Sequence, residues 1–277
     1  MTARVAIATC DWLPDLDEDS AALLAALAAL GVDAAPVVWS SGADWTVYDL
    51  VLVRSCWDYT TRRAEFLAWA ASVPRLANPA EVLAWNTDKR YLNGLAAAGV
   101  AVVPTTFVAP GERYAVPPGE HVVKPTVSAG ARDTRRFAAG ESSAAHAAAL
   151  LGAGRDVMVQ PYVTAIDEAG ETAVMSFLGV HSHAIRKAPV LLDGTAVAPD
   201  VVEITPRAAT PAELSAAEQV LSLVPGGPLL YARVDLVPGP DGPLLMELEV
   251  TEPSLFLSHS SGAAERLAAA VVESLRA

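Results

Sequence analysis

The chemistry of this chain concentrates in Tyr231-Ala-Arg233-Val-Asp235-Leu-Val237 and, after a Pro-Gly-Pro-Asp-Gly turn, Leu244-Leu-Met246-Glu247-Leu-Glu249-Val250. Charges occupy alternate positions of two otherwise apolar strands. Side-chain direction repeats every two residues in a strand, so Arg233 and Asp235 share one face, as do Glu247 and Glu249. Antiparallel counting about a turn near Asp241 sets Asp235 opposite Glu247 and Arg233 opposite Glu249. Two like charges ~4 Å apart repel by roughly 4 kcal/mol at an effective dielectric near 20, so this crowding calls for counter-charge. Carboxylate oxygens with no Cys or His nearby suit magnesium, with manganese as an alternative, and magnesium held this way also takes phosphate oxygens. Asp235, Glu247 and Glu249 are the expected metal ligands; the competing reading is a solvated strand face balanced by Arg233.

Anion-binding groups are few and placed with care. The chain has three lysines, Lys89, Lys124 and Lys187, and arginine carries the rest of its positive charge. Each lysine stands at an expected strand end or helix start, and a compact ammonium suits phosphate as a point charge. Lys124 precedes Pro125-Thr-Val-Ser128-Ala129-Gly130-Ala131, a small-residue turn whose backbone can approach an anion closely. The lysine comes before the turn and no Gly-Lys-Ser/Thr follows, so this is not a Walker loop; an ordinary hairpin would explain it as well. In Val157-Met-Val159-Gln160-Pro161-Tyr162-Val163 a strand leaves through a proline that lacks an N–H, which would free neighbouring backbone groups for a planar base. Glu171, after Gly170, could accept from ribose hydroxyls.

These groups need elements to hold them. Arg4 to Thr9 and Leu50 to Val53 read as buried strands, and Ser20 to Leu30 as a helix capped by Ser20 and stopped at Gly31. Ligands gather beyond the carboxyl ends of strands in such open α/β sheets. That points to Arg54-Ser55-Cys56-Trp57-Asp58-Tyr59, with Arg54 for a substrate carboxylate and Ser55, Trp57 and Asp58 shaping the pocket; a structural Arg54–Asp58 pair is the alternative. Asn86 or Thr87 should cap a helix running to about Ala97, with Lys89 in its first turn. A strand-rich segment from Val102 to Val163 follows, then strands Thr172 to Phe177 and Ser182 to Arg186, a helix from Pro211 to Leu223, the charged hairpin, and a helix from Ala263 to Leu275. Ser254 and Ser258 follow the acidic strand and could face substrate. Of His181 and His183, one is expected to be a core histidine.

Bulk properties narrow the partners. A net charge of −13 argues against a nucleic-acid surface or an anionic membrane, so any bound anion must be held by local cations. With 52% hydrophobic and 18% charged residues, the 277-residue chain should fold as one unit of two or three lobes. Cys10 and Cys56 read as reduced thiols rather than a disulfide framework. The longest apolar run, Ala21 to Val32, is too short to cross a bilayer, and the N-terminus lacks a secretory pattern; a cytoplasmic protein is expected.

Taken in order, Asn86-Thr-Asp88-Lys89, Val123-Lys124-Pro125, Gln160-Pro161-Tyr162, Gly170-Glu171, Arg233-Val-Asp235 and Glu247-Leu-Glu249 resemble the ATP-grasp superfamily. That resemblance implies an N-terminal open α/β domain (1–85) on the substrate side and two α+β lobes (86–165 and 166–277) clasping ATP. It also implies that Lys89 and Lys124 hold ATP phosphates, Ser128, Ala129 and Gly130 form a lid, Gln160, Pro161, Tyr162 and Val163 meet adenine, and Glu171 holds ribose. Asp235, Glu247 and Glu249 would bind two magnesium ions, with Arg233 stabilising charge at the reacting centre. Many relatives have Asn in place of Glu249. Arg54-Ser-Cys-Trp57-Asp58-Tyr59, Trp85-Asn-Thr-Asp-Lys89, Ser182-His183-Ala-Ile-Arg186-Lys187, Glu203-Ile-Thr-Pro-Arg207 and Glu247-Leu-Glu249-Val-Thr-Glu252-Pro-Ser-Leu255 look like the subgroup containing the cyclo-ligase that converts O-ureido-D-serine to D-cycloserine. This likeness implies catalytic roles for Arg186 and Lys187, a small amino-acid-like carboxylate substrate, and an acylphosphate route. Alternatives are a ligase for another amino acid or small peptide, a two-metal nuclease, and a non-catalytic nucleotide sensor. The nuclease lacks a basic, aromatic-lined stripe; the sensor would not need the acidic trio.

Overall fold

A computed structural model describes residues 2–192, 194–196 and 201–276. The N-terminal unit is a parallel sheet in the order β2-β1-β3-β4, formed by β1 (Arg4–Thr9), β2 (Asp33–Val38), β3 (Leu50–Ser55) and β4 (Leu76–Ala77). Helices α1 (Glu18–Ala29) and α2 (Arg63–Ser72) belong to this unit. β3 is buried throughout, as expected of a parallel strand covered on both faces. The Asp17 carboxylate, rather than Ser20, caps α1 by accepting from the Ser20 N–H; Ser20 is already inside the first turn. Cys10 and Cys56 are buried, unpaired thiols in the core of this unit.

The expected helix from Asn86 to Ala97 is instead two, α3 (Ala80–Asn86) and α4 (Tyr91–Ala97). Asn86 ends the first because its side chain is needed elsewhere: it donates to Leu248 O and accepts from Val250 N–H. Lys89 lies in the connection, where its N–H bonds Thr126 O in the next lobe. It therefore belongs to neither helix.

The small lobe comprises β5 (Thr106–Val108), β6 (His121–Pro125), β7 (Arg135–Phe137), α5 (Ala144–Gly152) and β8 (Val157–Pro161). The short α6 (Ile166–Ala169) leads into β9 (Glu171–Phe177) and β10 (Val180–Lys187). Next come β11 (Leu191–Leu192), β12 (Thr195–Ala196), β13 (Ile204–Arg207), α7 (Pro211–Ser222), β14 (Tyr231–Gly239), β15 (Gly242–Glu249) and α8 (Ala263–Arg276). The large lobe carries the antiparallel sheet β13-β10-β9-β14-β15. One boundary differs from the expected 165/166 division: β11 and β12 lie beyond it in sequence but join the small-lobe sheet β11-β12-β7-β6-β8-β5, Thr195 pairing with Arg135. None of the described helices is long and apolar enough to cross a membrane.

Buried polar side chains fasten the N-terminal unit to the charged hairpin. Asn78 donates to Tyr231 O and Val250 O and accepts from Leu230 N–H, and its φ of 58° suits an asparagine. The Tyr231 hydroxyl donates to Val53 O, and the Tyr91 hydroxyl bonds both Leu248 O and Leu248 N–H. Asn78→Ala would leave three buried backbone groups unpaired, so urea unfolding is expected to show a loss of about 2–4 kcal/mol; a change within about 0.5 kcal/mol would show that Asn78 does not fasten the units.

Candidate active site

The hairpin has the expected register: Asp235 faces Glu247 and Arg233 faces Glu249, with an irregularity between Asp235 and Leu236. Its charged face forms one wall of a cleft of about 640 Å³ between the lobes. The crowding, however, is relieved by the protein's own cations. The Arg233 guanidinium grips Asp235 with both arms, Nε to Oδ1 at 2.8 Å and Nη2 to Oδ2 at 2.9 Å, and also donates to Glu249. Lys187 reaches Asp235 at 3.4 Å and Glu171 at 2.7 Å, while Lys89 pairs with Glu247 at 3.0 Å. Positive and negative groups alternate across the wall.

Burial and pairing set the protonation states. Burial alone would raise the Asp235 carboxyl, but Arg233 and Lys187 outweigh it and hold its pKa below the usual value. Burial likewise acts on Glu247, where Lys89 and Lys124 prevail and keep it low. Burial would push the Lys187 ammonium down, yet Asp235 and Glu171 hold it above the ordinary lysine value. Glu249 goes the other way: burial raises it, and Glu247 and Asp235 add to the rise against the pull of Arg233. Burial lowers Lys124, and among the described residues no carboxylate lies within ion-pair distance of it.

Among the described residues, no group of three or more His, Cys, Asp or Glu is arranged to hold a metal by itself. Asp235 and Glu249 share Arg233 and Glu247 is tied to Lys89, rather than all three being gathered into a cage. Their chemistry still fits a hard divalent cation, because magnesium is bound by one or two carboxylates together with substrate phosphates and water.

The remaining expected residues divide in two. Lys89, Lys124, Ser128, Ala129, Gly130, Gln160, Pro161, Tyr162, Val163, Glu171, Lys187, Trp57 and Ser254 all line the cleft. Lys89 Nζ donates to Ser128 O at 2.8 Å and so anchors the small-residue turn. The Tyr162 N–H is already bonded to Glu120 O, so it is not one of the groups left open by Pro161. The Tyr162 ring lies under Arg136 and its hydroxyl donates to Asp167.

Arg54, Ser55, Asp58, Arg186 and Ser258 are not brought into the cleft. Arg54 is 1% exposed, with its guanidinium over the Tyr231 ring and Nη2 donating to Pro253 O, so a substrate carboxylate has no access to it. Nor does it pair with Asp58, which accepts from Trp39 Nε1 and faces Arg62. Strand alternation sends Arg186 away from Lys187, to the carbonyls of Glu168 and Ala169. There it braces Gly170, where φ is +72° and an added Cβ would meet Lys187 O at 2.5 Å. Ser258 is exposed beside His259. His183 is the core histidine, bonding Leu255 O through Nε2.

Trp12, Arg132 and Phe256 also line the cleft and were not singled out from sequence; Tyr59, Asn86 and Glu252 line it too, although the sequence reading gave them no contact with a ligand. Glu252 had a visible signal, a third acid continuing the run from Glu247 and Glu249. Trp12, Arg132 and Phe256 carried none that separates them from core or surface. Residues 252–257 form a strap whose backbone is held from outside. Trp57 Nε1 donates to Glu252 O, Arg54 to Pro253 O, and Arg233 to Ser254 O. The Asp19 carboxylate accepts from the N–H groups of Leu255, Phe256 and Leu257.

Three lobes around such a cleft are the ATP-grasp architecture. The chain superposes on an ATP-grasp RimK domain protein from Sphaerobacter thermophilus (TM-score 0.69, 20% identity, 96% of this chain and 98% of that one). It also superposes on D-alanine–D-alanine ligase from Bacillus anthracis complexed with ATP (TM-score 0.67, 15% identity, 99% and 98%). Residues 5–78 match the family model of the D-cycloserine synthetase DcsG N-terminal domain. The whole chain is similar to the cycloserine biosynthesis protein DcsG of Streptomyces lavendulae, with 40% identity over 94% of this chain and 95% of that protein. It is also similar to the crystal structure of D-cycloserine synthetase DcsG (TM-score 0.90, 37% identity, 99% of this chain and 100% of that one). The chain belongs to the DcsG family of ATP-grasp ligases.

Burial, followed by the Glu249 charge, pushes the Glu252 carboxyl up to about 8 from an ordinary value of 4.5. Between those pH values the folded protein keeps a proton that the unfolded chain releases, so this group makes stability fall as pH rises. Glu252→Gln removes that proton equilibrium. The variant should melt above the native protein at pH 8 and lose the advantage towards pH 5; an advantage independent of pH would contradict the raised value.

Proposed function

We propose that this protein is an ATP-dependent carboxylate–amine ligase that cyclises O-ureido-D-serine to D-cycloserine, releasing ADP and phosphate. The observation that carries this reading is the largely buried alternation of Arg233, Asp235, Lys187, Glu171, Lys89 and Glu247 on one cleft wall, beside a Lys124 with no ion-pair partner among the described residues. Kinship with the DcsG family supplies the substrate. A small amino-acid-like carboxylate fits a cleft of this size, and the protein's net charge of −13 disfavours nucleic acid and anionic membranes. A cytoplasmic location is part of the reading.

In this reading the triphosphate lies along Lys89 and Lys124 under the Ser128–Gly130 turn, adenine lies against Gln160 to Val163, and ribose reaches Glu171. Magnesium, with manganese as a substitute, would be held by Asp235, Glu247 and Glu249 and would neutralise the phosphoryl group. A solved relative, the ATP-grasp ligase PsnB, is described in complex with Mg and ADP. Arriving phosphates compete for Lys89 and Lys187, which frees carboxylate oxygens now paired to those lysines. The substrate carboxylate takes the γ-phosphoryl group. The substrate's own nitrogen then attacks the acylphosphate carbon, a C–N bond forms, and phosphate leaves. D-cycloserine has no carbamoyl on its ring nitrogen, so water must also cleave that N–C(O) bond: the ring nitrogen takes a proton, and the carbamoyl group leaves as carbamate, which breaks down to carbon dioxide and ammonia. Arg233 stabilises the oxygen that carries the developing charge, and ring closure gains from proximity. With Arg54 enclosed in the core, Arg233 and Arg132 are the guanidiniums lining the cleft.

The test is magnesium-dependent ADP release with a panel of amino-acid carboxylates. Stimulation by O-ureido-D-serine above the others is expected, and nuclease activity without ADP would overturn the reading. Asp235→Asn and Glu247→Gln should each lower turnover by about 10²-fold or more with little change in far-ultraviolet circular dichroism. Near-native turnover in both would remove the acidic pair from the mechanism.

A further inference from the structure

Four of the five carboxylates lining the cleft have a cation within ion-pair distance: Glu171 and Asp235 have Lys187, Glu247 has Lys89, and Glu249 has Arg233. Glu252 is the exception among the described residues. It is 7% exposed, lines the cleft, and has the Tyr59 hydroxyl as its side-chain neighbour. A buried carboxyl without a counter-ion keeps its proton at neutral pH, and a cation that arrives with a ligand displaces that proton to solvent and leaves an ion pair, which makes the group a receptor for such a cation.

The surroundings specify that cation. Trp12 and Trp57 line the same part of the cleft and stack at 5.9 Å with an interplanar angle of 27°. Trp12 is 58% exposed although it lines the cleft. Indole rings next to the strap that carries Glu252 suit an ammonium group, through cation–π attraction together with charge-assisted hydrogen bonding. The geometry also fits an α-amino acid. Trp57 fixes the Glu252 carbonyl, while two residues along the strap the Ser254 carbonyl is bonded by Arg233. Arg233 is thus bonded to the strap two residues beyond Glu252, and both side chains line the cleft.

We propose that Glu252, framed by Trp12, Trp57 and Tyr59, receives the α-ammonium group of the amino-acid substrate. This rests on the ligase reading for the identity of the substrate, but the recognition itself can be measured as binding. Quenching of indole fluorescence reports on the site, because two of its walls are tryptophan.

O-Ureido-D-serine and D-serine are each compared with the counterpart lacking the α-amino group, in the native protein and in Glu252→Gln and Glu252→Asp. The native protein should bind the amino member about 10- to 100-fold more tightly, the range expected for one charged hydrogen-bonded pair. Glu252→Gln should reduce that preference to within about 3-fold, and Glu252→Asp, which keeps the charge, should restore part of it. Circular dichroism verifies that each variant is folded. Equal binding of both members by the native protein, no binding of either amino member, or an undiminished preference in Glu252→Gln overturns the proposal. ADP release distinguishes the two readings: an ammonium preference without substrate-stimulated ADP would refute the ligase reading and leave this recognition standing.

Discussion

The organising constraint is the burial of the Arg233 guanidinium against Asp235. Both groups are nearly removed from water, and neither could be so without the other, since an isolated buried charge costs several kcal/mol. The fork geometry of arginine satisfies both oxygens of Asp235 and leaves donors for Glu249 and the Ser254 carbonyl. One side chain thus connects β14, β15 and the strap that follows them. A lysine at this position would carry the charge without the planar fork.

The N-terminal unit contributes to the cleft chiefly by holding backbone in place. Asp19, at the start of α1, gathers three successive N–H groups around Phe256, which has a φ of 51°. Arg54 and Trp57 hold the carbonyls just before it, and Asn78 and Tyr231 hold the root of the hairpin. Side chains from distant parts of the chain therefore determine the path of residues 252–257. Displacement of the N-terminal sheet would be felt at Arg233 through a continuous set of hydrogen bonds.

What could be read from the sequence follows from which signals are local. Strand alternation is local, so the register of Arg233, Asp235, Glu247 and Glu249 could be counted along the chain. The lysines were legible because they are scarce, and all three line the cleft. Arg54 was misleading because a cation at a strand end looks the same whether it faces solvent or the neighbouring domain; its partners, Pro253 and Tyr231, are about 180 to 200 residues away. Asn86 looked like a helix start because asparagine caps helices, whereas its bonds to β15 place it at a helix end. The return of β11 and β12 to the small-lobe sheet is likewise a long-range pairing that local propensity does not encode.

Electrostatic asymmetry within the cleft ties these observations together. Among the described residues, Lys124 has no carboxylate and the Glu252 carboxyl no cation within ion-pair distance. Between them, Arg233, Lys187 and Lys89 neutralise the acids in pairs. A ligand that carries negative charge at one end and positive charge at the other completes both unfinished pairings at once. In the proposed reading, triphosphate at Lys124 and an amino acid at Glu252 would form that combination. Each occupant would bring the counter-charge that its end of the cleft lacks, which offsets the desolvation of the group it meets.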